Sequence, residues 1–309
     1  MIRPTCISLQ TMLPATPPKT TVLCLGNFDG VHKAHQALFQ EGLILRNTVA
    51  PSAACGVFCF SEPPSHFLSE APPPQLCSLE EKLTLLAACG MEYVFLADFP
   101  AVQDLSPEDF IQRILLEECH CVGAVCGFNY RFGARGTGTA EQLKAMLPAP
   151  VTVCPQVTED GSPVSSTRIR RLLLDGNAEN AARLLSRPYF FSAPVIHGKG
   201  LGHRWGIPTI NQQIPPHRLI PRHGVYVTQC LVDGKRYTAV TNVGLRPTVD
   251  SNATVNCESF LLDFQGDLYE KTVQISFLKW IRPEIRFPSP EALQEQIRKD
   301  IQTARDFRS

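Results

Sequence analysis

Apolar residues fall along the chain in two rhythms. Short unbroken runs at Val22–Leu25, Ala53–Phe60, Tyr93–Leu96, Cys121–Cys126 and Val151–Cys154 have the length and character of strands buried on both faces of a parallel sheet. Between them the spacing turns helical. From Val31 onward Ala34, Leu38 and Ile44 are expected inward, Ser78–Cys89 carries Leu79, Leu83 and Leu86 on one stripe, and the segment after Val164 turns Ile169, Leu172 and Leu173 inward. Ser106-Pro107-Glu108-Asp109 is a helix start, with Ser as N-cap, Pro in the first turn and Asp three residues after the cap, and that helix is expected to run to about Glu118. Residues 1 to 20, with Pro4, Pro14, Pro17 and Pro18, read as irregular chain with a short edge strand, and Glu62 to Pro74 as a loop too broken by proline for regular structure.

Alternation of strand and helix over about 170 residues predicts a parallel α/β domain with ligand loops at the carboxyl ends of its strands. Beyond Leu185 the rhythm changes. Arg187-Pro188-Tyr189 marks a boundary, and from there to Phe277 short β-rich runs separated by turns predict a small barrel. Ser289-Pro290-Glu291 then opens a terminal helix, with Leu293, Ile297 and Ile301 facing the barrel. Two domains are expected, 1–185 and 186–309.

Length and composition agree, since 309 residues with 44% apolar content suffice for a packed core in each domain. Lys plus Arg equals Asp plus Glu at 29 each, which argues against a broad basic surface for nucleic acid or anionic lipid and points to small-molecule partners. No apolar run approaches the roughly 18 residues of a membrane span, and the N-terminus lacks a basic region followed by an apolar one, so a soluble cytoplasmic protein is expected. The twelve cysteines form no CxxC pair, and Cys24, Cys55, Cys59 and Cys126 sit in apolar surroundings, so reduced thiols are expected. Cys119-His120-Cys121 matches no common zinc spacing. Oligomeric state is left open.

Three stretches of the first domain suit phosphate chemistry. In VLCLGNFDGVHKAH, residues 22–35, Gly26 and Gly30 let the backbone turn and approach a ligand closely, and His32 and His35 fall on one early helical turn. Helix N-terminal amides with two imidazoles suit phosphates and a leaving pyrophosphate. Two histidines three apart also fit a solvated surface pair; the flanking glycines and Asp29 favour the phosphate site. Gly127-Phe128-Asn129-Tyr130-Arg131-Phe132-Gly133 suits a ligand-facing loop, or a structural turn with Asn129 in the left-handed region. Ser165-Ser166-Thr167-Arg168-Ile169-Arg170 places hydroxyls and cations at a helix start, and an ordinary cap with surface arginines fits the same residues.

In the second domain Gly198, Gly200, Gly202 and Gly206 around Lys199 let the backbone wrap an anion, although neither Gly-Lys pair has the spacing of a Walker A loop. Thr209 and Asn211 present oxygens on one face of an extended segment, a donor set for Mg²⁺. Glu258 in a strand is by itself most often a solvated or paired surface group.

These stretches together carry a resemblance. GNFDGVHKAH resembles the GxFDGxHxGH signature of bacterial bifunctional riboflavin kinase/FAD synthetases, whose N-terminal domain is a Rossmann-like, doubly wound member of the HxGH nucleotidylyltransferase superfamily. Ala34 replaces the second glycine of HxGH and adds a methyl where substrate phosphate approaches. Phe60-Ser61-Glu62-Pro63-Pro64 keeps only the Phe and last Pro of the family's Phe-x-Pro-His-Pro, and its histidine is missing. The loop at Asn129 resembles an element assigned to ATP and flavin contacts, and Val164 to Arg170 is similar to Ile-Ser-Ser-Thr-x-Ile-Arg. Gly206-Ile207-Pro208-Thr209-Ile210-Asn211 is similar to the riboflavin kinase Gly-Phe-Pro-Thr-Ala-Asn, followed in the family's order by Gly224-Val225-Tyr226, Asn242 to Thr248 and Glu258.

The resemblance implies that the C-terminal, riboflavin kinase-like barrel phosphorylates riboflavin to FMN, with Glu258 as base and Thr209 and Asn211 on Mg²⁺. It implies that the N-terminal domain adenylylates FMN with ATP to FAD and pyrophosphate. There His32 and His35 would act on the phosphates, Gly26, Asn27, Phe28, Asp29, Gly30 and Asn129 would bind substrate, and Ser166, Thr167 and Arg168 would hold ATP phosphates. Gly198, Lys199 and Gly200 would form the kinase flap. Two rivals stay open: a kinase whose N-terminal domain has lost its synthetase activity, and a flavin- or nucleotide-sensing module.

Overall fold

The computed structural model describes residues 3–9, 19–198, 207–246 and 254–307. Its packing divides into two compact units, Met1–Pro73 with Ser78–Ser165, and Pro74–Cys77 with Ser166–Ser309.

The first unit is a six-stranded, wholly parallel sheet. Its strands are Thr5–Ser8 (β1), Thr21–Leu25 (β2), Ala54–Phe60 (β3), Tyr93–Ala97 (β4), Cys121–Gly127 (β5) and Val151–Cys154 (β6). They lie in the order β1-β4-β3-β2-β5-β6. The chain winds outward from β2 through β3 to β4, then crosses back to β5, so the sheet reverses direction between β2 and β5. Every residue of β2 is buried, which explains its unbroken apolar run. Helices cover both faces. Lys33–Val49 (α1) and Leu79–Ala88 (α2) pack Leu38, Phe39 and Leu86 on Cys24, Val57 and Val94. On the other face, Phe110, Ile111 and Leu115 of Phe110–Glu118 (α3) join Leu143 of Ala140–Met146 (α4) over Leu23, Phe58 and Phe95.

Several local expectations hold. Ser78 and Glu81 form a reciprocal capping box at the start of α2, and the Ser106 hydroxyl accepts from Asp109 N–H at 3.0 Å. The helix that follows is one α-helical turn, Pro107–Asp109, widened into a π-helix over Phe110–Glu118, with Cys119 N–H donating to the Ile114 carbonyl at 3.0 Å. Two corrections arise. Ile44 is 56% exposed, because six residues beyond Leu38 turn a helix by about 600°, off the buried stripe; Phe39 and Gly42 face inward instead. A Cβ on Gly42 would stand 2.6 Å from Cys24 Sγ, so a glycine there lets α1 lie close on the sheet. The proline-rich loop contains a helical turn, Ser65–Leu68, in which Pro64 fits the position before the first turn, and Phe99–Val102 adds another short helix. The expected irregular course through Pro14, Pro17 and Pro18 lies outside the described residues, whereas the expected edge strand is β1.

The second unit begins with helices Ser166–Leu174 (α5) and Ala178–Leu185 (α6), ahead of the expected boundary after residue 185. Its strands are Tyr189–Pro194 (β7), Ile210–Gln213 (β8), Gly224–Val232 (β9), Lys235–Arg246 (β10), Thr254–Leu261 (β11) and Thr272–Arg282 (β12). They form an antiparallel sheet in the order β7-β12-β9-β10-β11-β8. The sheet curls until its ends meet: Ile196 N–H donates to the Asn211 carbonyl at 2.8 Å, and Gln212 Nε2 donates to the carbonyls of Ala193 and Val273. Inside, Thr228, Thr241 and Ser259 link hydroxyls at 2.6 and 2.8 Å among Tyr226, Phe191 and Phe277. Alternate residues face outward, where helix Pro290–Asp306 (α7) covers part of the surface with Ile301 and Ala304 packed near Val225, Val227 and Val240.

A buried ion pair fastens α7 to the sheet. Arg282 Nη2 reaches Asp300 at 2.7 Å, with side chains 17% and 3% exposed, and Gln296 Nε2 donates to the same carboxylate at 3.0 Å. Removing one partner leaves a buried charge unpaired. Asp300→Ala is therefore expected to destabilise the second unit by about 3 kcal/mol, read as a lowered urea midpoint.

Ten cysteines are buried, Cys6 is exposed and Cys89 partly so, and all twelve are free thiols. Burial pushes the Cys55 and Cys154 thiols up to about 11. Among the described residues, no helix is long and apolar enough to cross a membrane.

Candidate active sites

In the first unit a cleft of about 940 Å³ opens at the carboxyl ends of the parallel strands. It is walled by the chain leaving β2 (Gly26, Asn27, Phe28), the start of α1 (His35) and the loop after β5, including Asn129. That is where a wound sheet reverses direction, the place such sheets hold ligands. The turn is tightly folded: Phe28 and Val31 have φ of 53° and 43°, values that side chains rarely adopt, beside Gly30 at 81°. A Cβ on Gly26 would press on the Phe28 ring at 3.0 Å. Asp29 and His32 are buried within this turn.

His32 caps α1, its Nδ1 accepting from His35 N–H at 3.4 Å, and the two rings stack with centroids 3.6 Å apart and planes 17° from parallel. Burial, then His32, then Lys82 hold His35 well below the usual imidazole range, so its ring is neutral at pH 7. His35 Nδ1 and Asn27 Oδ1 are buried without a hydrogen-bond partner. Unpaired buried polar atoms on a cleft wall are groups prepared for a ligand.

Asn129 is exposed to the cleft, and its φ is not positive, so the left-handed turn is not what holds it there. Ser166, Thr167 and Arg168 stand in the first turn of α5, which packs within the second unit. The sequence missed the aromatic wall: Phe60 lies edge-on to Phe99, which stacks on Phe67 at 5.8 Å. Phe60 ends β3, Phe67 lies in the Ser65–Leu68 turn and Phe99 opens the short helix after β4, so no local spacing announces their meeting.

In the second unit a cleft of about 370 Å³ lies between the outer face of the barrel and α7. Register assembles it. Glu258 on β11 pairs across one side with Asn211 of β8 and across the other with Asn242 of β10, and paired residues project to the same face. Glu258 and Thr209 line the cleft with Val225, Phe260 and Ile297. Asn211 is buried and its Oδ1 accepts from Asn256 Nδ2 at 2.9 Å, leaving Asn256 Oδ1 buried without a partner. Asn242 Nδ2 donates to Glu284 Oε1 at 3.0 Å, and Glu284 rests in space that any Cβ on Gly244 would take. Glu284 and Asn256 were not anticipated. Lys199 and Gly200 lie outside the described residues.

Gly198 leans on Asn211, whose Nδ2 a Cβ at position 198 would overlap. Gly198→Ala is accordingly expected to displace the Asn211 amide and to lower turnover in this cleft by about a hundredfold. The melting temperature should hardly change, and paired rate and melting measurements check it.

Family models match both parts of the chain: riboflavin kinase over residues 185–308 and FAD synthetase over residues 15–168. The bifunctional riboflavin kinase/FMN adenylyltransferase of Escherichia coli strain K12 is 36% identical over 301 residues, spanning 96% of this chain and 95% of that protein. Those of Listeria monocytogenes and Bacillus subtilis are 32% and 33% identical, over 93% and 92% of this chain and 92% and 91% of theirs. A solved structure described as a macrolide-efflux protein from Streptococcus pneumoniae superposes with a TM-score of 0.91 at 30% identity, covering 98% of this chain and 99% of that one.

With these matches, the wound parallel sheet and the curled antiparallel barrel, each with its own cleft, are the two domains of a transferase. The chain belongs to the bifunctional riboflavin kinase/FMN adenylyltransferase family.

Proposed function

We infer that the protein carries out two successive ATP-dependent transfers, phosphorylating riboflavin to FMN in the barrel and adenylylating FMN to FAD, with release of pyrophosphate, in the wound-sheet domain. The observation that carries this reading is the register that brings Glu258 between Asn211 and Asn242 in the cleft lined by Thr209. A carboxylate on a cleft wall can take the proton of the riboflavin ribityl 5′-hydroxyl as that oxygen attacks the γ-phosphate. Thr209 and Asn211 offer neutral oxygens, Asn256 Oδ1 is an unpaired oxygen beside them, and no group of three or more His, Cys, Asp or Glu suited to a metal occurs among the described residues. That set fits Mg²⁺, which accepts few protein ligands and arrives with nucleotide phosphates. The ion would neutralise phosphate charge, and the chain would supply its position.

In the first unit His32 and His35 would donate to phosphate oxygens from the start of α1, with the Gly26–Gly30 turn giving close approach and Asn129 binding substrate. Ser166, Thr167 and Arg168 would hold ATP phosphates, and Gly198, Lys199 and Gly200 would close over nucleotide in the kinase. The division of labour would follow 1–185 and 186–309, and the protein would act in the cytoplasm on small molecules alone, with no nucleic-acid or membrane partner.

Pure protein incubated with riboflavin, ATP and Mg²⁺, with FMN and FAD followed separately, tests the scheme. FMN should rise first and FAD should follow. FMN without FAD would leave a kinase whose adenylyltransferase domain is silent, the outcome Ala34 and the missing Phe-x-Pro-His-Pro histidine would explain. Neither product would overturn the reading.

A further inference from the structure

Lys82 is a charge that the expected machinery does not use. It closes the first turn of α2, is only 5% exposed, and is absent from the wall of the first cleft. Its ammonium donates to the Asn27 carbonyl at 3.0 Å, and among the described residues no carboxylate pairs with it. Burying an ammonium against one neutral carbonyl is costly, and an apolar side chain of similar length would fill the space without that penalty. Stability alone does not account for the charge.

What it touches gives the account. Asn27 is followed by Phe28, held at a φ of 53°, and the Phe28 ring stands edge-on to His35 with centroids 5.2 Å apart. The titratable groups whose charge reaches His35 are His32, stacked on it, and Lys82 from α2. Cys59, near the end of β3, also feels the Lys82 charge. We propose that Lys82 is a positioning residue for adenylyl transfer, clamping the Asn27 peptide, seating His35 through Phe28, and placing positive charge beneath the point where phosphate charge collects. The assignment rests on the adenylyltransferase reading of this cleft.

The test compares full-length wild type with Lys82→Met, Lys82→Gln and Lys82→Arg, measuring FAD formation from supplied FMN and ATP across pH, with FMN formation from riboflavin as control. Lys82→Met should lower the FAD rate by about a hundredfold and leave the FMN rate unchanged. Removing a positive neighbour makes His35 easier to protonate, so the acid limb of the FAD profile should move to higher pH in the Met and Gln variants and stay in place in the Arg variant. Gln keeps a donor for the Asn27 carbonyl without the charge, so it decides the matter if the Met variant does not fold. A wild-type rate in Lys82→Met, or an unmoved acid limb in Lys82→Gln, overturns the proposal while the function stands. Wild-type protein that makes no FAD from FMN sinks both.

Discussion

Glu258→Gln is expected to abolish FMN formation, by about 10²- to 10⁴-fold, the range typical of a lost general base, while adenylylation of supplied FMN continues at the wild-type rate. The amide has the shape of the carboxylate and keeps its place between Asn211 and Asn242, but it cannot accept the hydroxyl proton. The two activities separate because the register that places Glu258 belongs to the barrel and the imidazole pair belongs to the parallel sheet. Assaying riboflavin to FMN and FMN to FAD on one preparation checks this. Equal loss of both in a folded variant would contradict it.

The converse variant, His32→Ala, should lose FAD formation by about 10²- to 10³-fold, as when one preorganised donor is removed from a charge-stabilising site, with the kinase intact. His32 also caps α1, so part of the effect could come from a frayed helix start, which costs about 1 kcal/mol. His32→Asn separates the two contributions, because asparagine is a good N-cap but brings no ring to stack on His35. Both variants should fail in FAD synthesis, and the Asn variant should melt close to wild type. Wild-type FAD synthesis in His32→Asn would reduce the imidazole to a cap.

Much of this arrangement was legible beforehand, for physical reasons. Strands such as Thr21–Leu25 are buried on both faces, so their apolar runs are unbroken, and Ser106 and Ser289 stand directly before Pro and acidic residues, which makes them readable caps. Thr209 and Glu258 could be paired from motif order. What stayed hidden depends on contacts distant in sequence. Ile44 required the helix phase set by Gly42 against Cys24, and the Phe60, Phe67 and Phe99 wall required a strand end and two short helices to converge. Lys82, directly after Glu80 and Glu81 in the first turn of its helix, has the sequence signature of a solvated lysine, and only the fold turns it beneath the Asn27 turn. The junction of Ile196 with Asn211 is likewise a property of the curled sheet.

The strand pairing around Glu258 also bears on renaturation. Its neighbours Cys257 and Ser259 point into the barrel interior, so a slip of one residue between strands would exchange inside for outside and turn the carboxylate toward the Thr241 hydroxyl. Molecules refolded out of alignment would keep their β-sheet spectrum and yet transfer no phosphate, so turnover per mole of recovered protein counts the correctly threaded fraction.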